Sequence, residues 1–455
     1  AAADMGCYES AGLPLAFTCS FTGSPLQGTD TLQVIFTATV NGPGTGSVVY
    51  AWDFDNDGTF DLDGVGRAQV TNTYAAPGLY AVALRCTNAF NETAVKTRTD
   101  YILVRPMTAY VATNGGSISP YDTWAKAARQ IQDALNAVAD GGTVVATSGV
   151  YTVSSIINVT RPVTLTSVDG AAVTTLRSPG PNRLMVVRHP QAIVERLGFT
   201  GVNLGYPESG ALSMSNGTVR DCILTNYHLG TDGGAIHLDA GLVHDCWIVK
   251  NGANHQNTGR GGGVCLKGGV VSNCVIAGNQ SWDSGGGIYM TAGLVTRCVI
   301  SNNFMYGFYG TDGGGGVYMT GGRLENCLVT SNRFTDTTPV YGAGIYMTGG
   351  AIVHSTVADN RRAGGDNFSG LYMTGGVVTN SIFYCNGAGF PAVANENVYM
   401  SAGAMTYSCA QPLVAGDGNT ADDPTFVSRA SSDYHLATGS FAVDTATNLP
   451  DVLVD

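Results

Sequence analysis

The densest run of metal-binding chemistry in the sequence is Asp53-Phe54-Asp55-Asn56-Asp57-Gly58-Thr59-Phe60-Asp61. Carboxylates on alternate residues, followed by a glycine, can wrap oxygen ligands around Ca²⁺. Asp53, Asp55, Asp57 and Asp61 are therefore candidate ligands. A calcium loop of this kind closes on a bidentate Glu at its twelfth position, where Gly64 stands instead. The competing account is an Asp/Asn-rich turn in which Asp53 caps the backbone.

A second set is spread over repeats. Tyr289, Tyr318, Tyr346, Tyr372 and Tyr399 recur at one position of the phrase Gly-Ile-Tyr-Met-Thr and its variants, and His237 and Cys265 hold that position in the two preceding copies. The residues on either side, such as Ile288 and Met290, are apolar. Strand side chains alternate, so with those neighbours inward the tyrosines form an outward aromatic stripe. Such a stripe can stack on sugar rings or dock a protein, or it can simply stabilise the sheet by self-stacking. The same parity turns Ile223, Trp247, Val275, Val299, Leu328 and Ile382 outward, interrupted by Thr356. That row is either ordinary β-branched sheet surface or an interface covered by a partner.

No catalytic residue is assigned. Glycoside hydrolysis needs two carboxylates, and lyase chemistry a base that abstracts a proton, in matching positions on neighbouring repeats. Asp232, Asp283 and Asp312 precede Gly runs but sit in variable loops, and outward Lys267 and Arg297 lack a carboxylate partner in register. His189, His228, His237, His244, His255, His354 and His435 show no metal-ligand spacing.

The elements that position these residues follow from the repeat. The residue after each Tyr-position residue, read back through earlier copies, is Met214, Leu238, Leu266, Met290, Met319, Met347, Met373 and Met400, and successive differences are 24, 28, 24, 29, 28, 26 and 27 residues. A period in this range marks a solenoid, and units this rich in Gly and β-branched residues read as coils of a parallel β-helix. Cys222, Cys246, Cys274, Cys298 and Cys327, continued by Ser355, Ser381 and Ser408, occupy one repeat position, and are expected to be stacked, buried thiols acting as small apolar groups rather than bridges. Asn251, Asn279, Asn303, Asn332, Asn360 and Asn386 stand five residues further on, as an amide ladder at a turn. A helix over about 121–139, with Trp124, Ala128, Ile131, Leu135 and Val138 on one face, is expected to cap the first coil.

Upstream, Leu32–Val40, Val48–Phe54, Ala81–Asn88 and Tyr101–Val104 read as short strands separated by turns, which indicates an all-β sandwich. Cys7, Cys19 and Cys86 lie outside the solenoid, and one bridge among them suits an oxidising compartment. Charged residues make up 12%, about half the usual ~25%, with 62 glycines and a net charge of −12. That charge disfavours nucleic acid as a partner, and no apolar run is long enough to span a membrane. Ala1-Ala2-Ala3-Asp4 resembles the residues around a signal-peptidase cut.

Two resemblances join these readings. Tyr50-x-Trp52-Asp53-Phe54, Tyr74-x-x-Pro77-Gly78-x-Tyr80 and Thr87-Asn88 resemble a PKD domain, an immunoglobulin-like sandwich of extracellular proteins that implies spacing, adhesion or carbohydrate association. Tyr121-Asp122-Thr123-Trp124-Ala125-Lys126-Ala127-Ala128, with Asp423-Pro424-Thr425-Phe426-Val427 and Asp433-Tyr434-His435-Leu436, is similar to secreted bacterial right-handed β-helix proteins of the pectate-lyase-like superfamily, which often cleave acidic polysaccharides. The expected architecture is all-β: an N-terminal extension (1–30), a PKD-like immunoglobulin-like sandwich (31–106), and a right-handed parallel β-helix (107–455) joined by a short, stiff linker. The C-terminus ends without a capping helix, which leaves the last rung as an open edge. These features favour an extracellular or cell-surface structural or adhesive protein that self-associates head-to-tail into a filament, with Leu15–Thr18 as the strand that pairs with a neighbour. Calcium is the one cofactor implied. The alternative is a β-helix that binds or cleaves extracellular polysaccharide.

Overall fold

The computed structural model describes residues 16–180, 182–201, 210–228, 230–255, 258–306, 313–334, 341–362, 369–387, 397–443 and 445–447. Asp312, Cys7 and Leu15 therefore lie outside the described residues.

The first unit is a two-sheet sandwich. Thr18–Ser24, Leu32–Asn41 and Gln69–Tyr74 form one antiparallel sheet. The other holds Gln27–Thr29, Thr93–Arg105, Gly78–Thr87, Val49–Asp53 and Leu62–Val65. The alternation of Leu32, Val34 and Phe36 places those side chains inward, each buried. They meet Phe21, Trp52, Phe54, Leu84 and Ile102 in one core. Trp52 lies 5.3 Å from Phe21 in an edge-to-face contact, and its indole N–H donates to the Arg67 carbonyl at 2.9 Å. Thr18–Ser24, assigned by sequence to the N-terminal extension, is thus a strand of this sandwich.

The second unit is a parallel β-solenoid with three long sheets. One runs from Thr108–Val111 to Ala404–Thr406, one from Gly149–Thr152 to Cys409–Ala410, and one from Ile157–Val159 to Val398–Met400. A short fourth sheet from Gly252–Ala253 to Arg361–Arg362 lines one corner. Repeats stack without register shift: Ile288, Tyr289 and Met290 pair with Val317, Tyr318 and Met319, which pair with Ile345, Tyr346 and Met347. Ile288 and Met290 are buried between sheets and Tyr289 points out, as the alternation predicts.

Two buried ladders hold the corners. Asn279 shows the first. Its amide nitrogen donates to Asn303 Oδ1 (3.0 Å) and to the Ile248 carbonyl (2.8 Å), while its Oδ1 accepts from Asn251 N and Nδ2 (2.9 and 3.0 Å). All four hydrogen-bonding positions of the amide are used. The pattern repeats through Asn303, Asn332, Asn360 and Asn386, and Asn397 closes it. A side chain at Gly316 would meet Asn332 Nδ2 at 2.8 Å, which is why the repeat phrase opens on glycine. The second ladder corrects the expectation that its thiols serve as apolar filler. They are free and buried, yet each bonds: Cys298 Sγ donates to the Thr296 carbonyl (3.2 Å) and accepts from Cys274 N (3.4 Å). Ser355 and Ser381 repeat both contacts through their hydroxyls. A donor and an acceptor on one γ-atom is what the position demands, so Cys and Ser interchange along it.

Both ends depart from the sequence expectation. The helix over 121–139 is instead a 3₁₀ turn, Trp124–Lys126, and a seven-residue α-helix, Ile131–Ala137, with Trp124 43% exposed. Helix periodicity over-extends it because the carbonyls of Ala125, Lys126 and Ala127 accept from Gly116, Ile118 and Ser117 instead of closing helical turns. The capping helix still covers a rung: Gln132 Oε1 accepts from Asn158 N at 2.8 Å, satisfying a strand-edge donor. At the far end the last rung is not left open. Tyr407 N donates to the Asp417 carbonyl, Ala410 N to that of Thr420, and Thr420 N to that of Ser408, while Asn419 Oδ1 takes the place of the next Ser by accepting from Ser408 N at 3.0 Å. The cap was hidden because it is a non-repeating loop rather than a helix.

The ladders separate two substitutions at neighbouring corners. Cys298→Ser preserves donor and acceptor and should lower stability by under about 1 kcal/mol, whereas Asn303→Ala strands several buried polar groups at about 1–3 kcal/mol each. Thermal and denaturant unfolding of the two variants, with wild type alongside, checks the order.

Candidate functional site

In the sandwich, the loop after Val49–Asp53 is organised by its own carboxylates. Asp53, 3% exposed, accepts from Asp57 N (3.2 Å) and Gly58 N (3.0 Å); Asp57 accepts from Thr59 N (2.7 Å) and Asp61 from Phe54 N (2.7 Å). Carboxylate oxygens of Asp53, Asp55 and Asp61 lie within 4.8 Å of one another, so three of the four proposed ligands converge and Asp57 stands outside that group. The Asp55 carboxyl sits above the ordinary range, by desolvation first and then by repulsion from the neighbouring carboxylates, against the opposing hydrogen bond from Asp57 N. The loop is thus a satisfied turn that also gathers negative charge at one point. Nearby, the Cys19 and Cys86 thiols hydrogen-bond to each other across the sandwich, which raises the pKa of Cys86 and lowers that of Cys19.

In the solenoid, the tyrosine stripe exists and its geometry revises its chemistry. Tyr289, Tyr318, Tyr346, Tyr372 and Tyr399 stack with centroid separations of 5.3, 5.1, 5.0 and 4.7 Å and interplanar angles of 8° to 22°. Tyr341 stacks on Tyr372 at 4.5 Å, and the Arg260 guanidinium lies 5.3 Å from the Tyr289 ring centre. Faces are therefore taken up by neighbouring rings, and the stripe offers edges and hydroxyls. That geometry serves sheet cohesion directly and removes the broad aromatic platform a sugar ring would need.

Where the tyrosines stop, polar chemistry begins. His237, Cys265 and Tyr289 are in register on successive rungs. Asp232 joins them from the preceding loop, held by parallel pairing with Arg260. Single ligand atoms of Asp232, His237 and Cys265 lie within 4.8 Å of one another. Lys267 Nζ stands 3.6 Å from Asp232 Oδ2, which supplies the carboxylate partner that register alone does not reveal. Arg260 pairs with the buried Asp283 at 3.2 Å. Burial, then the Lys267 charge, holds the His237 imidazole below its usual pKa, and burial pushes the Cys265 thiol up to about 12.

The outward apolar row divides in two. Trp247 is 58% and Val299 37% exposed, with Ile223 and Val275 half-buried. Toward the C-terminal end the chain approaches the row itself: Ile382, Phe426 and Phe441 pack on one buried cluster of Tyr384, Cys385 and Cys409, and Val299, Leu328 and Thr356 share a cavity wall with residues 432–435. The antiparallel pair Phe426–Ser428 and Asp433–Leu436 is pinned there. Arg429 makes a two-pronged contact with Asp359 (2.6 and 3.2 Å), and Tyr434 donates to the same carboxylate (2.8 Å) while accepting from Thr330 (2.8 Å).

That docking creates a cleft of about 580 Å³ missed in sequence, bounded by Arg333, Arg361 and Arg429 with Asn302, Ser331 and Tyr434, and by Asp359, whose charge is taken up by Arg429. Arg333 and Arg361 are exposed and in direct register. Arg333 rests on the Phe304 ring (5.4 Å), and among the described residues neither arginine has a carboxylate within salt-bridge distance. The available signal was an arginine directly after the ladder asparagine in two successive repeats, at Asn332-Arg333 and Asn360-Arg361.

Asp359→Asn should release the C-terminal pair by removing the charge that holds Arg429. The expected outcome is faster proteolytic cleavage after Arg429 with little change in far-ultraviolet circular dichroism.

Comparison with known proteins agrees with this architecture. Residues 20–104 match the PKD domain and residues 209–364 the right handed beta helix region. No curated protein matches the sequence. Among solved structures, Geobacillus virus E2 ORF18 is 14% identical with a TM-score of 0.30, covering 68% of this chain, which spans 60% of that protein's length. The catalytic domain of a GH87 alpha-1,3-glucanase (D1068A, in complex with tetrasaccharides) is 12% identical with a TM-score of 0.23, covering 87% of this chain and 92% of its own. No described helix is long and apolar enough to cross a membrane. The chain is a PKD domain followed by a right-handed parallel β-helix.

Proposed function

We propose that this protein is an extracellular, non-catalytic binder of carboxylated or sulfated polysaccharide, and that the arginine cleft beneath the C-terminal pair is its binding site. The observation that carries this reading is the in-register pairing of two exposed arginines, Arg333 and Arg361, on adjacent rungs of a chain of net charge −12. Like charges in direct register destabilise a sheet, and an anion lying between the two guanidiniums relieves that cost. Arginine forks recognise carboxylate and sulfate in a two-pronged manner. Asn302, Ser331 and Tyr434 add neutral polar groups of the kind that bond sugar hydroxyls. The PKD domain fits such a role as the extracellular spacer.

Arg361→Ala should weaken binding of polygalacturonate or a sulfated glycan by about tenfold, the loss expected for a charge-assisted contact. Affinity electrophoresis and calorimetry at two salt concentrations measure it, with a neutral glucan as control. Equal retention of wild type and variant would dismiss the cleft as the site.

A second reading rests on a separate observation, the 58% exposure of Trp247 within the uncovered half of the apolar row. It supports self-association side by side rather than end to end, because the closing loop at 416–420 occupies the edge that head-to-tail growth would use. Ca²⁺ at Asp53, Asp55 and Asp61 belongs to the same extracellular setting. The raised Asp55 pKa means that repulsion in the loop grows as pH rises through it, so a bound cation should stabilise most at neutral pH and above. Ca²⁺ is expected to raise the melting temperature of wild type and not of Asp55→Asn.

A further inference from the structure

We propose that Asp232, His237 and Cys265 form a binding site for a borderline divalent cation of the Zn²⁺ type, at the point where the tyrosine stack ends. The geometry is a convergence of one carboxylate, one imidazole and one thiol, with ligand atoms mutually within 4.8 Å. That set of oxygen, nitrogen and sulfur donors suits Zn²⁺ and leaves a fourth tetrahedral position open to water.

Three further observations bear on it. The first is His237 itself. Asp239 Oδ1 engages Nε2 at 3.2 Å, and Nδ1 is buried with no hydrogen-bond partner among the described residues. A carboxylate on one ring nitrogen fixes the imidazole and leaves the other as the ligand, the usual outer-sphere arrangement of a metal-binding histidine. A purely structural account of the cluster explains the Asp239 contact and leaves Nδ1 stranded, at a cost typical of an unmade buried bond.

The second is position. His237 and Cys265 stand where five later repeats carry tyrosine, and in-register pairing places them on adjacent rungs. Asn158, Val186 and Ser213 precede them in the same row, so His237 and Cys265 are the two rungs between a mixed beginning and the tyrosine stack, and both carry metal-binding residue types.

The third is charge. Zn²⁺ held by the Asp232 carboxylate, the Cys265 thiolate and a neutral imidazole forms a neutral centre, and the thiol proton leaves to solvent on binding. Asp232 has two oxygens, so one can keep Lys267 at 3.6 Å while the other reaches the ion. Lys267 then offsets the further carboxylate, Asp239, that stands on His237 Nε2.

The test uses the full chain without an affinity tag, stripped with chelator and titrated with Co²⁺ and then Zn²⁺. Expected is a thiolate-to-cobalt charge-transfer band saturating at one equivalent and bleached by Zn²⁺. It should vanish in Cys265→Ser and His237→Gln, weaken at least tenfold in affinity in Asp232→Asn, and persist in Cys385→Ser and Asp55→Asn. Circular dichroism and melting of each variant show whether it is folded. Absence of the band in wild type, or wild-type affinity in folded Cys265→Ser, overturns the site. Should Cys265→Ser not fold, unchanged affinity in both His237→Gln and Asp232→Asn overturns it equally.

Discussion

The solenoid depends on one constraint: each buried corner must hand its polar groups to the next rung at the same height. A parallel sheet satisfies backbone groups along the strands, about 4.8 Å apart, but the corners break that ladder. Here side chains complete it. The Asn ladder uses every donor and acceptor of its amides, and the Cys/Ser ladder uses a γ-atom that both gives and takes. Because each unit is satisfied only by its neighbour, repeat length at the corners cannot drift, while the intervening loops are free to vary. The spread of 24 to 29 residues between repeats therefore lies in loops and not in ladders.

The same stacking decides what the outward positions can do. In-register repetition places like beside like, and the result depends on the residue type. Tyrosine is satisfied by its own kind: its faces pair, and little but edges remains for a ligand. Arginine is not, because the in-register pairing of Arg333 and Arg361 sets like charges on adjacent rungs. His237 above Cys265 is a third case, in which unlike neighbours converge with a loop carboxylate. A uniform row is thus the least reactive part of the surface, and the chemistry gathers where the row breaks.

That distinction also explains what was legible in the sequence. Periodicity revealed the solenoid, its inward and outward faces and the Asn ladder, because these are properties of the repeat. The features it concealed depend on residues that do not repeat. Asp232 reaches its partners only after the chain has turned a full coil to Cys265, so linear spacing shows no ligand pattern. Lys267 finds Asp232 by the same route. The arginine cleft needs Arg429 and Tyr434, brought from about 70 residues beyond Asp359. The helix was over-extended because apolar spacing cannot tell an i→i−4 turn from a segment whose carbonyls are claimed by another strand.

The two ends of the coil bear on how such a protein meets others. Gln132 supplies a side-chain acceptor to Asn158 at the first rung, and Asn419 supplies one to Ser408 at the last, so at both places a side-chain amide stands in for the missing next strand. An amide can do this because it carries the acceptor and donor of a peptide group without continuing the chain's direction. Edges closed in this manner are poor templates for strand addition. What stays available is lateral: the exposed Trp247 and Val299 on one long sheet, and the cleft that the C-terminal pair forms with the short corner sheet. The apolar row lies on one long sheet and the paired arginines on the short corner sheet beside it, and residues 426–436 lie against the C-terminal part of both.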